Sequence, residues 1–356
     1  MNSQSNDSPP FLQLRFNSRA SSLIDLKSIQ RSPRASLAEG NLTARQNSVS
    51  KTCIPSLPLT TRKQNPTKVK TSSCSYGYCK AFVACTNQGL VRSYNEDRIT
   101  IMPKLSKSEK HGLTSFFAIF DGHGGPSCAD YLAENMHRVL ARQLSQDLSI
   151  QDSINSTFSL LEQNFISKSI QKNFDNSGSC AISLITDKEY LYLANVGDSR
   201  GLIGLSKGKK VVQITDDHKP CMESEKNRIE KAGGVIIPGN RTNVSRVLPG
   251  RLSVSRTFGD ISAKLKQLGG NPNVIISTPD IFKIKFNKNF DYLLLASDGV
   301  FDVLTNEQVN QAVTQALSSP GNLYERLTVA GNNVIDLSLQ YRSSDNVTCI
   351  IISFSE

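Results

Sequence analysis

An unbroken apolar run, Phe116 to Phe120, stops at Asp121-Gly122-His123-Gly124-Gly125. Five apolar residues bounded by glycines read as a buried strand. Its end delivers a carboxylate and an imidazole into a turn whose glycines let the backbone approach an ion or a phosphate. A carboxylate suits a hard cation, and an imidazole exchanges protons near neutral pH. One Asp-Gly corner would be an ordinary turn, because both residues favour turns by their own backbone chemistry. Here the pattern recurs at Asn95-Glu96-Asp97, at Gly197-Asp198-Ser199, at Ala296-Ser297-Asp298-Gly299 with Asp302 following, and at Ser344-Asp345-Asn346. Five such corners in a chain with only four histidines describe an oxygen-donor site for Mg²⁺ or Mn²⁺ rather than zinc. Two such ions roughly 3.5 to 4 Å apart can activate a water and stabilise an in-line displacement at phosphorus.

The rest of the chain sets the frame for that site. Its 356 residues suffice for one large domain and a tail, or for two small domains. Residues 1 to 75 hold eleven Lys/Arg against three Asp/Glu, so most of the net charge of +10 sits there and the remainder is nearly neutral. No basic stripe interleaved with aromatics runs through the body, which argues against nucleic acid as a partner. The eight cysteines include no CxxC pair or Cys/His cluster, so reduced thiols in an intracellular protein, cytoplasmic or nuclear, are expected. No apolar run has the length of a membrane span.

Residues 1 to 75 are rich in Ser, Asn, Pro and Arg without a sustained apolar period, and the expectation is a disordered basic tail. Arg19-Ala20-Ser21, Arg34-Ala35-Ser36, and the spacings Arg15/Ser18 and Arg45/Ser48 suit phosphorylation, which would reverse the local charge. That makes the tail a candidate for binding regulators or kinases. A solvated linker and an organelle presequence are the alternatives.

From Lys80 onward, strands are expected at Lys80 to Thr86, Ile99 to Met102, Ser115 to Phe120, Ser179 to Thr186, Tyr190 to Val196, Gly201 to Leu205, Val211 to Ile214, Tyr292 to Ala296 and Val347 to Phe354. Helical spacing predicts helices over Pro126 to Leu144, about Asp152 to Gln171, Met222 to Lys231, behind Thr305 with Gln308 completing a capping box, and about Asn322 to Gln340. Hairpin-paired strands with pairs of helices between them predict an α+β protein with an antiparallel β-sandwich core.

The ordered motifs RSYNED (92 to 97), FAIFDGHGG (117 to 125), GSCA (178 to 181), LANVGDSR (193 to 200), DHKP (217 to 220), RIEKAGG (228 to 234), RLSVSRTFGD (251 to 260), LLLASDGVFDVL (293 to 304) and SSDNVTCI (343 to 350) resemble the metal-dependent protein serine/threonine phosphatases of type 2C. The resemblance covers about residues 78 to 355, so residues 76 to 356 are expected to form the catalytic domain. It implies a central sandwich flanked by pairs of helices, in four layers α-β-β-α, with the site in a cleft at one edge. By the same resemblance, Asp121 bridges two Mg²⁺ or Mn²⁺ ions. Gly122 lends its carbonyl, Asp298 and Asp345 hold one ion, and Glu96 holds the other. Asp97 orients a water, Arg92 grips the substrate phosphate with a planar guanidinium, and His123 is the general acid. Asp198 and Asp302, with Asp298, match a weaker third metal site.

The reaction so implied is hydrolysis of phosphoserine and phosphothreonine in phosphoproteins by a hydroxide bridging the two ions, without a phospho-enzyme, in a protein expected to be monomeric. A histidine-rich dinuclear phosphoesterase lacks its ligands here. A non-enzymatic relative would have lost carboxylates that are all present. Asp198 and Arg200 are equally readable as a simple ion pair. His218 and Arg256 are expected to be structural. Phe301 and Cys180 replace a common Trp and Thr, and Arg241, Arg246 and Arg251 lie in the segment that varies across the family.

Overall fold

The computed structural model describes residues 66–73, 78–146, 148–172, 175–239 and 244–355. Strands β1 (Lys68–Ser73), β2 (Ala81–Asn87), β3 (Arg98–Ser108) and β4 (Gly112–His123) precede helices α1 (Ser127–Leu144) and α2 (Ile150–Gln171). Strands β5 (Gly178–Thr186), β6 (Tyr190–Val196), β7 (Arg200–Leu205) and β8 (Lys210–Gln213) lead to helix α3 (Glu223–Lys231). Short elements follow: β9 (Val235–Ile237), β10 (Arg246–Leu248), β11 (Phe258–Gly259) and α4 (Ile261–Lys264). The chain closes with β12 (Asp280–Lys285), β13 (Phe290–Ala296), the single turn α5 (Asp298–Phe301), α6 (Asn306–Leu317), α7 (Leu323–Gln340) and β14 (Val347–Ser353).

Two antiparallel sheets result, ordered β1-β2-β14-β13-β7-β8 and β12-β6-β5-β4-β3, with β11 added to β5 and β9 with β10 as a separate hairpin. The central strands are buried at nearly every position because both of their faces are covered, and alternation then sorts the side chains. Phe117 and Ile119 of β4 share one core with Leu293 and Leu295 of β13 and Ile350 and Ile352 of β14, between the sheets. Phe116, Ala118 and Phe120 face the other way, onto Leu132 and Met136 of α1 and Phe158 and Leu161 of α2. Tyr292, Leu294 and Ile351 likewise pack on Val313 of α6 and Val334 of α7. Each Phe, Leu, Ile, Val or Met among them, withdrawn from water, contributes about 1.5–3 kcal/mol of transfer free energy. Three stacked cores make the expected α-β-β-α sandwich.

The expected tail needs a correction at its end. Lys68–Ser73, inside the 1–75 stretch, form β1 and pair with β2 from Lys68↔Thr86 to Ser73↔Ala81. Val69 is the one apolar residue of this strand, which therefore carried no apolar signal; an edge position needs little burial. Residues 1–65 and 74–77, with the serine motifs, lie outside the described residues, as does Arg241. Strand β3 runs six residues past Met102, beyond a register shift that falls between Met102 and Ser106. The capping box of Thr305 and Gln308 is present.

Candidate active site

Strand order and direction bring the five acidic corners to one end of the sandwich. Asp121 lies at the end of β4, opposite Cys180 of β5. Glu96 and Asp97 immediately precede β3, the antiparallel partner of β4. Asp198 stands between β6 and β7, Asp298 begins α5 just past β13, and Asp345 stands just before β14. The register Ala296↔Arg200 and Ala296↔Cys349 ties the last three together.

Carboxylate oxygens of Asp121, Asp198 and Asp298 all lie within 4.8 Å of one another. Asp198 thus stands together with Asp121 and Asp298. Burial pushes the Asp121 and Asp298 carboxyls well above the usual carboxylate range; Asp298, Asp97, Asp198 and Asp345 raise Asp121 further, and Asp198, Asp302, Asp345 and Asp97 raise Asp298. Such a set, all oxygen and mutually repelling, fits hard divalent cations, which would neutralise the repulsion. Burial also lifts Asp97 to about 6, partly offset by hydrogen bonds from Thr348 and from Ser297, whose Oγ is 3.1 Å away.

The other expected ligands stand around this trio. Glu96 Oε1 accepts the Gly125 N–H at 2.7 Å, and the Glu96 N–H is held by Asn346 Oδ1 at 2.8 Å. Gly122 is buried and pairs with Ser179. Asp345 is paired with the half-exposed Arg92 guanidinium. Asp302, the most exposed of the acids, accepts from Lys219 Nζ at 2.9 Å, and that ammonium is also 3.7 Å from Asp198. Burial works against the Lys219 charge, but Asp198 and Asp302 outweigh it and raise its pKa.

His123 has a partner that sequence reasoning missed. Its Nε2 is 2.8 Å from Asp260 Oδ2. Burial disfavours the imidazolium, but Asp260 more than offsets this, so the net shift is upward. Asp260 is aimed by a left-handed backbone, φ 50°, just after β11. The pair passes directly over Gly178, where a Cβ would fall 2.0 Å from Asp260 Oδ2 and 2.4 Å from His123 Nε2. Gly259-Asp260 repeats the Gly-Asp corner of Gly197-Asp198, and that likeness was the available signal.

Arg200 does not pair with Asp198. It makes two hydrogen bonds to Asp217, at 3.0 and 2.7 Å, and stacks 4.5 Å over the Phe301 ring. Asp198 instead accepts from the Cys180 thiol, Sγ to Oδ1 3.6 Å. Burial, then Asp198 and Asp121, hold that thiol protonated. His218 joins the Gly197 N–H to Asp280, while Arg256 joins Glu225 to Asp280. Both side chains therefore brace loops.

The Protein phosphatase 2C family description matches residues 81–347. A rice protein called "Probable protein phosphatase 2C member 13, mitochondrial" is 34% identical over 67% of this chain and 60% of its own length. Bovine "Protein phosphatase 1L" is 33% identical over 74% of this chain and 69% of its own length. The aligned parts span only 60%, 62% and 51% of three of the plant relatives. Among solved structures, a serine-threonine phosphatase 2C from Toxoplasma gondii has the same fold, with TM-score 0.64 and 21% identity over 82% of this chain and 99% of that one. The motif order, the four-layer sandwich and the match over 81–347 agree, and the chain belongs to the protein phosphatase 2C family.

Proposed function

We propose that the chain is a metal-dependent protein phosphatase that hydrolyses phosphoserine and phosphothreonine monoesters. The observation that carries this reading is the convergence of Asp121, Asp198 and Asp298 within 4.8 Å at one end of the sandwich. Asp121, Gly122, Glu96, Asp298 and Asp345 would hold two Mg²⁺ or Mn²⁺ ions, which when bound lower the pKa of water and neutralise charge on the phosphoryl group.

The chain's own groups supply the rest. Arg92, released from Asp345, binds two phosphate oxygens through its planar guanidinium. Asp97, fixed by Ser297 and Thr348, orients the attacking water. His123 protonates the departing oxygen, and Asp260 keeps the imidazolium in place for that transfer. The water oxygen joins phosphorus as the P–O bond to the side chain breaks, leaving the free hydroxyl and inorganic phosphate. No side chain need form a covalent intermediate.

The test is turnover of a phosphothreonine peptide by purified protein with Mn²⁺ or Mg²⁺, and after EDTA. Metal-dependent turnover that vanishes in Asp121→Asn is expected. Absence of turnover in the intact protein at saturating metal would leave a binding module as the better reading. We place the protein inside the cell as a monomer; the free thiols of all six described cysteines support the reducing compartment.

A further inference from the structure

Strands β4, β5 and β11 lie side by side at the imidazole: His123 pairs with Gly178, and Gly178 pairs in turn with Gly259. Asp260, next after Gly259, reaches back over Gly178 to His123. Both residues of that corner have left-handed backbone, φ +71° at Gly259 and φ +50° at Asp260. A Cβ on Gly259 would fall 2.3 Å from the Ser177 carbonyl oxygen, and a non-glycine residue at positive φ, such as Asp260, persists only where its surroundings hold it.

Strand β5 and the turn before it supply part of that hold. The Asp260 N–H donates to the Ser177 carbonyl at 3.1 Å, and the Ser262 N–H donates to Asn176 Oδ1 at 2.8 Å. The rest comes from α2. Phe158 and Glu162, four residues apart, share one face of that helix. Phe158 packs on Phe258 with ring centroids 5.3 Å apart, and Glu162 Oε2 accepts the Gly259 N–H at 3.0 Å. Glu162 Oε1 is paired with Lys264 Nζ, which also donates to the Thr257 carbonyl at 2.7 Å. The pair therefore grips the backbone on both sides of Phe258, with side chains only 11% and 4% exposed. Desolvation of two buried charges offsets much or all of their attraction, so stability alone gives little reason for such a pair. Its location does, because the gripped backbone leads directly into Asp260.

We propose that Glu162 and Lys264 are positioning residues for proton transfer by His123, gripping the β11 corner so that Asp260 stays on the imidazole. The inference rests on the general-acid role given to His123 above. Both residues act through the Gly259-Asp260 backbone and not on the imidazole directly.

Two double variants of the full chain test this. Glu162→Leu with Lys264→Met removes both charges together, leaving no unpaired ion buried, and takes the partners away from Gly259 and Thr257. Glu162→Gln with Lys264→Met is also neutral but keeps an amide oxygen for the Gly259 N–H. At saturating Mn²⁺, the first is expected to lower kcat on a phosphothreonine peptide by about tenfold or more, a part of the roughly 10²- to 10⁴-fold that a general acid supplies, and to change p-nitrophenyl phosphate turnover by less than about twofold. The second keeps one of the two grips and should show a smaller loss, again confined to the peptide, so it decides the matter if the first fails to fold. Combined with His123→Gln, neither should slow the peptide further, because the group they position is gone. In the metal-free protein, the His123 ring-nitrogen NMR signal, identified by its absence from His123→Gln, should move in the first variant toward its position in Asp260→Asn. Equal losses on the two substrates, a further loss on top of His123→Gln, or an unmoved ring-nitrogen signal would overturn the proposal and leave an ion pair that only braces the fold. Wild-type protein that turns over neither substrate refutes the phosphatase reading, and equal losses in His123→Gln refute the acid role; either takes the inference with it. An active, His123-dependent enzyme whose peptide turnover survives in both variants overturns the inference alone.

Discussion

Asp121 and Asp298, both half-buried, stand beside each other and beside the buried Asp198, an arrangement that costs stability whenever all three are ionised without a cation. Replacing one by a neutral isostere should therefore act in opposite directions on fold and on chemistry. Asp121→Asn or Asp298→Asn is expected to abolish Mn²⁺-dependent hydrolysis while leaving the metal-free thermal midpoint equal or higher, by about 2–4 °C per kcal/mol of relieved repulsion. A differential scan with and without Mn²⁺ reads both effects, since the metal-induced rise should also be lost. His123→Gln and Asp260→Asn should each slow a phosphothreonine peptide far more than p-nitrophenyl phosphate, whose leaving group needs no proton; general acids typically contribute about 10²- to 10⁴-fold. Equal losses on the two substrates, compared at saturating Mn²⁺, would remove the acid role. Lys219→Met, which takes the ammonium away from Asp198 and Asp302, should tighten binding of an additional Mn²⁺ in a calorimetric titration. The metal-site carboxylates were legible because Glu96, Asp121, Asp198, Asp298 and Asp345 each sit next to Gly, Ser or Asn, three of them (Asp121, Asp198 and Asp298) just past an apolar run. The pairings of Asp260 with His123 and of Asn346 with Glu96 were not, since they join residues 137 and 250 apart and no local pattern records such distances.

Elements were legible where burial imposes a period. The helices over 126 to 144 and 322 to 340 carry apolar residues at helical spacing, and the Thr305-Gln308 box marks a start that α6 uses. Asn322 and Glu325 form a second box by the same chemistry, which the sequence displays equally well. Thr305→Ala should cost about 1 kcal/mol, read as a fall of a few degrees in the thermal midpoint. Strand β12 went unread because it borders its sheet and most of its residues are only half-buried, and α5 is too short to show a period. Between α3 and β12, Arg256 ties Glu225 to Asp280. Despite burial, the arginines hold Glu225 far below the usual carboxylate range; His218 and Arg256 hold Asp280 at about 2. Depressed carboxyl pKa values stabilise the fold above the ordinary range and lose that contribution as pH falls from that range through the lowered values. The stability gap between the wild type and Arg256→Met should accordingly narrow as pH drops from about 6 to about 3. A gap independent of pH would assign the role of Arg256 to packing.

At the scale of the molecule, the sandwich was legible from apolar runs joined by hairpin spacings, while the junction of tail and body was not. Polar Lys68–Ser73 gave no cue that they complete a sheet. That strand changes where the chain can safely be shortened. Removal of residues 1–65 leaves β1 in place, whereas removal of 1–75 strips it from β2, whose Phe82 and Val83 are fully buried. The uncovered strand would present a row of free N–H and C=O groups along an apolar sequence, which is a template for another copy of itself. Light scattering on the two truncations should find the shorter deletion dispersed and the longer one assembling edge to edge. Six residues that look like the end of a tail would thus keep the apolar β2 edge from pairing with a second copy of the chain.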